Sequence, residues 1–416
     1  MNGPSKHDPY AVFRVANFRH YLYGRVGLAV GTQIQGIAIG WEMYQRTGQA
    51  LALGMVGLVQ AIPSIALALP AGYLADRFNR QHIALISLVG TTLTSLGLGI
   101  LSLSEGPIEA MYGLLLLDAI FNVLGGPSRT ALLPQIVPRN VFPNAVTWNS
   151  SMWQLTSVLG PAIGGFVIVW SVPSAYFCAA AGSTVFILMF RRIRLQPRQR
   201  DTTNPSMAMV LGGVRYVWRS RLVLAAVSLD MFAVLFGGAV YLLPIFAKDI
   251  LGVGEAGLGW LHAAPAAGAF SMAILLAHLP PMQKSGRNLL WSVAGFGLAT
   301  IVFGFSTSFW LSIVMLFLTG VFDQVSMVIR HTLVQLLTPD EMRGRVTAVN
   351  SVFISASNNL GGMESGLVAH WYGPIFSVVS GGIGSIVVVV ITAIASPRLR
   401  RFGSLTDIQT EKQSDA

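Results

Sequence analysis

The sequence predicts an all-α membrane protein of twelve transmembrane helices in two pseudo-symmetric six-helix bundles. Three observations lead there. Hydrophobic residues make up 53% of the 416 and charged residues 11%, against about 25% charged in an ordinary soluble domain. That composition rules out a disordered chain and argues against a soluble enzyme. Apolar stretches of the length needed to cross a bilayer, about 20 residues, recur along the whole chain. The Lys and Arg residues then sort to one side once those stretches are threaded alternately through a membrane.

In chain order the stretches are 20–46, 51–75, 82–104, 110–131, 143–170, 172–191, 222–247, 254–279, 288–306, 309–331, 344–371 and 373–396. Links between them are mostly short, as at Ser104-Glu105-Gly106-Pro107 and Ser171-Val172-Pro173. The exception is 192–221, which separates six stretches from six. The expected organisation is an N-terminal bundle over 1–191, a cytoplasmic linker over 192–221, a C-terminal bundle over 222–396 and a cytoplasmic tail over 397–416. In the linker Met207, Leu211, Val214 and Trp218 fall at helical spacing beside Arg215 and Arg219, the pattern of an amphipathic helix on the inner leaflet. It serves either as a passive tether or as a docking element for a regulator. The residues ahead of the first stretch hold no apolar signal-peptide core.

With the N-terminus inside, Arg46 and Lys248 alone among the 27 basic residues fall on the outer side. The inner side collects, among others, Arg77, Arg80, Arg129, Arg139, the linker arginines, Lys284, Arg287, Arg330 and Arg400. The net charge of +10 thus reflects topology and attraction to anionic headgroups, and no nucleic-acid partner is needed to explain it. The single cysteine, Cys178, allows no intramolecular disulfide. No Cys/His cluster has metal-ligand spacing and no phosphate-binding loop is present, so neither cofactor, metal nor enzymatic activity is expected.

The halves repeat. At an offset of 201 residues Phe121 falls on Phe322, Arg129 on Arg330, Pro138 on Pro339, Asn149-Ser150 on Asn350-Ser351, and Gly160, Gly165 and Trp170 on Gly361, Gly366 and Trp371. Duplication of a six-span unit is a transporter architecture.

Gly72-Tyr73-Leu74-Ala75-Asp76-Arg77-Phe78-Asn79-Arg80 resembles the G-x-x-x-D-R-x-G-R loop of the major facilitator superfamily. Asn79 stands where Gly is usual, a residue that tolerates positive φ better than most. The second half keeps a remnant, Lys284-Ser285-Gly286-Arg287. Trp41-Glu42-Met43-Tyr44, Pro70-Ala71-Gly72, Arg129-Thr130-Ala131-Leu132-Leu133-Pro134 and Gly160-Pro161-Ala162-Ile163-Gly164-Gly165 are similar to the branch that holds enterobactin exporters and macrolide-efflux proteins. The resemblance implies the major facilitator fold. It also implies a gating role for Gly72, Asp76, Arg77 and Arg80, with Arg129 and Arg330 beside them. Gly160, Pro161, Gly164 and Gly165 resemble the antiporter motif, which implies export; small residues there permit close helix packing in any case. Asp76 can pair with Arg77, Arg80 or Arg129, or cap a helix N-terminus; a simple topology anchor is the plainer role.

Few acids lie within the stretches, and each is costly at membrane depth, so it faces a cavity or a partner. Glu42 precedes Arg46 by four residues, the favourable order for a helical ion pair, and is read as a rim salt bridge or a substrate contact. Asp118, Asp230, Asp323 and Glu364 are candidates for binding substrate or proton. Asp323 and Arg330 share a face about 10 Å apart along the axis, too far for direct pairing. Asp230 and Tyr241 are placed on one face of one helix. Asn350, Ser357, Gly361 and Glu364 recur at helical spacing and form a polar stripe that lines a cavity or packs on a neighbour. Gln33, Gln35 and Gln60 add amides, each as helix glue or as ligand.

Taken with the resemblance, the expectation is a bacterial inner-membrane secondary transporter, both termini cytoplasmic, working as a monomer among membrane lipids. It would exchange protons for an amphipathic small-molecule substrate, siderophore or drug-like, by alternating access. An importer or lipid carrier of the same fold, and a non-transporting sensor or scaffold, remain open alternatives.

Overall fold

The computed structural model describes residues 8–193, 212, 215–280, 282–400 and 402–403. Every regular element among them is helical. Contacts divide the chain into one unit of Met1–Ala38 with Ala66–Asn204 and another of Ile39–Ile65 with Pro205–Ala416. The helices are α1 (Ala16–Thr47), α2 (Ala50–Ala66), α3 (Ala68–Arg77), α4 (Arg80–Leu103), α5 (Ile108–Thr130), α6 (Phe142–Trp170) and α7 (Val172–Phe190), followed by α8 (Arg221–Phe236), α9 (Gly254–His278), α10 (Ser285–Phe305), α11 (Phe309–Leu337), α12 (Asp340–Tyr372) and α13 (Pro374–Ala395).

Among the described residues nine helical segments are long and apolar enough to cross a membrane, and a tenth if α2 and α3, bent by 50° at their junction, count as one. The stretches 20–46 and 344–371, expected as spans, are not among them. They are continuous helices, but α1 carries Arg25, Gln33, Gln35 and Glu42, and α12 carries Asn350, Asn358, Asn359 and Glu364. Polar residues that dilute an apolar stretch are what a helix facing other helices holds.

In the first unit α4 packs against α5, and α7 against α1, through small residues. Helices in lipid gain little from hydrophobic burial against one another, so close approach matters most. A Cβ on Gly90 would stand 2.4 Å from Phe121 Cδ1, and one on Gly182 would stand 2.3 Å from Gly27 O. One end of this unit is sealed by a cluster of Phe18, Tyr21, Leu22, Leu88, Leu132 and Phe186.

The second unit repeats the plan. α5 begins at Ile108 and α11 at Phe309, at the offset seen in the sequence, and Phe322 sits on Gly295 as Phe121 sits on Gly90. The copies differ where α5 ends. α5 stops at Thr130, ahead of Leu133-Pro134, whereas α11 has Val334-Gln335 in register and runs on to Leu337. Proline cannot donate to the preceding turn, so only the first copy breaks. α9 crosses α11 with Gly268 and Gly320 at the contact: a Cβ on either would stand within 1.9 Å of a carbonyl oxygen, of Phe317 or of Pro265.

α8 ends at Phe236, before Gly237-Gly238. The chain then runs through a 3-10 turn over Gly238–Leu242, a short turn at Leu243–Ile245 and a π turn over Phe246–Ile250. Asp230 and Tyr241 are therefore not on one continuous helix, contrary to the sequence expectation; the two glycines interrupt it. In the linker Met207, Leu211 and Val214 lie outside the described residues, as does most of the tail after Arg400. Residues 215–219 are helical, but Trp218 is exposed while Val217 is buried in a valine cluster with Val223, Val227, Val334, Val346 and Val349. The Tyr216 hydroxyl donates to Leu337 O at 2.6 Å. The buried face is thus one residue off the predicted stripe, because the valines of α8, α11 and α12 accept Val217.

Candidate functional site

In the first unit a polar chain runs across α1, α4 and α5. Gln35 is buried on α1; its Oε1 accepts from Ser95 Oγ at 2.6 Å and its Nε2 donates to Asp118 Oδ2 at 3.4 Å. Asp118 also accepts from Thr94 Oγ1 at 3.0 Å and from Asn122 Nδ2 at 3.1 Å. Asn122 O accepts in turn from Arg129 Nη2 at 3.1 Å, and Arg129 Nη1 donates to Ser87 Oγ at 3.2 Å. Asp118 is thus held by neutral donors, with Asn122 between it and the guanidinium. Gln35 is one of the amides that the sequence offers as helix glue or ligand, and here it bonds across helices; Thr94 and Ser95 are not singled out by the sequence. The signal for those two is weak, being hydroxyls in an apolar helix.

Gly160 and Gly164 face α1. A Cβ on Gly160 would stand 2.7 Å from Gln33 Cβ, and one on Gly164 3.2 Å from Ile34 Cα. Pro161 and Gly165 are buried beside them, and α6 continues past Pro161 to Trp170. These residues set the spacing of α1 and α6, and Gln33 packs on that seam.

Asp76 pairs with Arg80 at 2.8 Å, one turn along, and Arg80 Nε donates to Ala75 O at 2.9 Å. Arg77 instead lies over the Tyr73 ring at 5.7 Å. A Cβ on Gly72 would meet nothing within 4 Å. Asn79 has φ −67° and caps α4, accepting from Gln81 N at 2.9 Å. The positive φ entertained for Asn79 is not used, since its side chain serves as an N-cap.

The second unit holds a buried ion pair of Arg330 on α11 with Asp230 on α8. Arg330, which the sequence places on the inner side, lies within α11, which continues for seven further residues to Leu337. Asp323, about two turns earlier on α11, is exposed and has no hydrogen bond or ion pair among the described residues. Glu42 and Arg46 form the i,i+4 ion pair on α1. Next to it the Tyr44 hydroxyl donates to the Asp249 carboxylate, and Lys248 lies 5.5 Å from the Tyr44 ring centroid.

α12 presents three faces. Asn350, Ser357 and Gly361 are buried, and a Cβ on Gly361 would stand 2.8 Å from Leu235 O of α8. Ser357 Oγ donates to Phe353 O at 2.7 Å, and Glu364, partly buried, accepts from Ser365 Oγ at 3.3 Å. The predicted stripe therefore packs toward α8. A second face meets α2: a Cβ on Gly366 would stand 2.4 Å from Gly54 Cα, and one on Gly57 2.7 Å from Asn359 O. Asn359 ties this seam together, accepting from the Tyr241 hydroxyl at 3.0 Å and donating to Ser64 Oγ at 3.3 Å. The accessible polar face is the third, formed by Ser351, Ser355 and Asn358, one residue and so about 100° around from the predicted stripe.

Residues 7–413 match the family described as transmembrane secretion effector. The chain belongs to this family of the major facilitator superfamily. Among the curated relatives of this major facilitator are the enterobactin exporters EntS of Escherichia coli O1:K1 and of Shigella boydii serotype 18. Each is 28% identical over 399 residues, covering 94% of this chain and 92% of the relative. Solved structures with the same fold include a bacterial homolog of the human lysosomal transporter Spinster, in an inward-facing and occupied conformation, with TM-score 0.72, 15% identity and coverage of 95% of this chain and 98% of that one. A D-xylose-proton symporter matches with TM-score 0.64 and 12% identity, over 92% of this chain and 97% of that one. This major facilitator is accordingly a multi-pass membrane transporter.

Proposed function

We propose that this major facilitator is a proton-coupled exporter of an amphipathic small molecule, siderophore or drug-like, working by alternating access as a monomer. It would span a bacterial inner membrane twelve times with both termini cytoplasmic. The observation that carries proton coupling is the state of two carboxylates. Asp118 is bonded to neutral donors, and Asp323 is exposed and unpaired among the described residues. Either can take up a proton without breaking an ion pair, whereas Asp230 is neutralised by Arg330. Export is supported by the likeness to the enterobactin exporters. Asp76, Arg77 and Arg80 fit an inner gate, and the basic-residue sorting supports the orientation.

The test is transport by purified protein in liposomes with an imposed pH gradient and a panel of siderophores and amphipathic drugs. Asp118→Asn and Asp323→Asn are expected to fold, and at least one of them to lose gradient-driven accumulation while retaining substrate exchange. Full accumulation by both variants, or wild-type transport indifferent to the gradient, would end the proton-coupled reading.

A further inference from the structure

We propose that the end of α10 carries a binding site for the phosphate group of an anionic membrane lipid. A cavity of about 510 Å³ opens there, lined by Lys284, Arg287, Arg400, Phe402 and Gly403. Three of the five are cations and none is acidic. Three like charges around one hollow repel one another, and an anion seated among them reverses that cost. Arginine binds phosphate oxygens through its planar fork, and lysine as a compact point charge.

The hollow is built by the chain after α13. Ser285 N donates to Gly403 O at 3.1 Å and Gly286 N to Phe402 O at 3.3 Å, so the tail occupies the first backbone donors of α10. Only a glycine permits this approach: a Cβ on Gly286 would stand 1.8 Å from Leu399 O. The tail is anchored by Leu399, fully buried, with Phe402 packed on the same core. With those amides taken, an anion is held by the three side chains.

The surface below the hollow selects a lipid. Arg287, Trp291, Leu298 and Phe305 follow one another at intervals of four, seven and seven along α10, with Lys284 at its N-cap, and all are exposed. The four helical residues share one face of the helix. Its basic end would meet the headgroup and its apolar length, from Trp291 to Phe305, the acyl chain, in the order a membrane interface imposes. A free phosphate ion would use the cations and ignore that apolar length. The inference needs only that the chain crosses a membrane, and is independent of the transported substrate and its coupling.

The experiment compares the full chain with the Lys284→Gln/Arg287→Gln/Arg400→Gln variant in nanodiscs of phosphatidylcholine with and without phosphatidylglycerol. Retained lipid is counted by native mass spectrometry. Arg191→Gln/Arg192→Gln is the control for loss of basic charge elsewhere, and Arg400→Gln alone serves if the triple variant is poorly folded. Phosphatidylglycerol should be retained over phosphatidylcholine, with retention weakening by about fivefold for each cation removed. Trp291→Ala should weaken lipid retention without altering the response to inorganic phosphate. Equal retention by wild type and triple variant, or equal loss in the control, overturns the site. Inorganic phosphate binding with no preference between the two lipids overturns the lipid assignment.

Discussion

Arg330 on α11 makes a buried ion pair with Asp230 on α8, and the first half of the molecule has no counterpart to it among the described residues. At the repeat offset Arg330 corresponds to Arg129, but Asp230 corresponds to Ala29. Arg129 instead donates to Asn122 and Ser87. The acid of the first half, Asp118, falls on Thr319 in the second. Duplication kept the arginines, but only the second half gave its arginine a carboxylate partner, on α8.

The pair predicts a stability cycle. Asp230→Asn leaves the guanidinium buried without its anion, and Arg330→Gln leaves the carboxylate likewise. Each should cost about 3–5 kcal/mol, seen as a lower melting temperature in detergent. The double variant should be more stable than the sum of the single losses implies. Strict additivity would mean the two groups do not interact.

Asp76 should behave differently. Its pair with Arg80 is partly exposed and lies within four residues, the kind that contributes about 0.3–0.5 kcal/mol. Asp76→Asn is expected to leave the melting temperature unchanged and to shift the accessibility of cysteines placed at opposite ends of the helices. A large loss of stability, with unchanged accessibility, would make Asp76 a structural residue and no gate.

The seam between α2 and α12 depends on glycine. A Cβ on Gly366 would stand 2.4 Å from Gly54 Cα, and one on Gly54 3.1 Å from Gly366 Cα. Gly54→Leu or Gly366→Leu would press a whole side chain onto that backbone, so the seam should open. In a Cys178→Ala background, Ser64→Cys should then react faster with an aqueous thiol reagent. Gly36→Ala, where a Cβ meets nothing within 4 Å, should change nothing. Unaltered reactivity in Gly366→Leu would show that the seam gives way elsewhere.

On α12 the order of thiol reactivity is set by the rotation of the helix. Ser355→Cys and Asn358→Cys should label quickly and Ser357→Cys slowly, since Ser357 is 4% exposed. The reverse order would restore the stripe of Asn350, Ser357 and Glu364 to an open face.

What the sequence determined by itself was everything carried by local composition and by duplication. Apolar length marked most of the helices, and the offset of 201 residues marked the repeat that pairs α5 with α11. The Glu42–Arg46 pair was also legible, because its two members sit one turn apart on a single helix. Partners on different helices were not legible. Asp230 finds Arg330 a hundred residues on, and Gln35 finds Asp118 and Ser95, only because helix packing brings them together. The rotation of α12 was undetermined for a related reason. Its sequence holds two polar stripes, Asn350 with Ser357 and Ser351 with Ser355 and Asn358, displaced by one residue. Periodicity alone ranks them equally. The contact of Gly361 with α8 and of Gly366 with α2 decided which stripe is buried, because glycines let those backbones approach and so fix how the helix is turned.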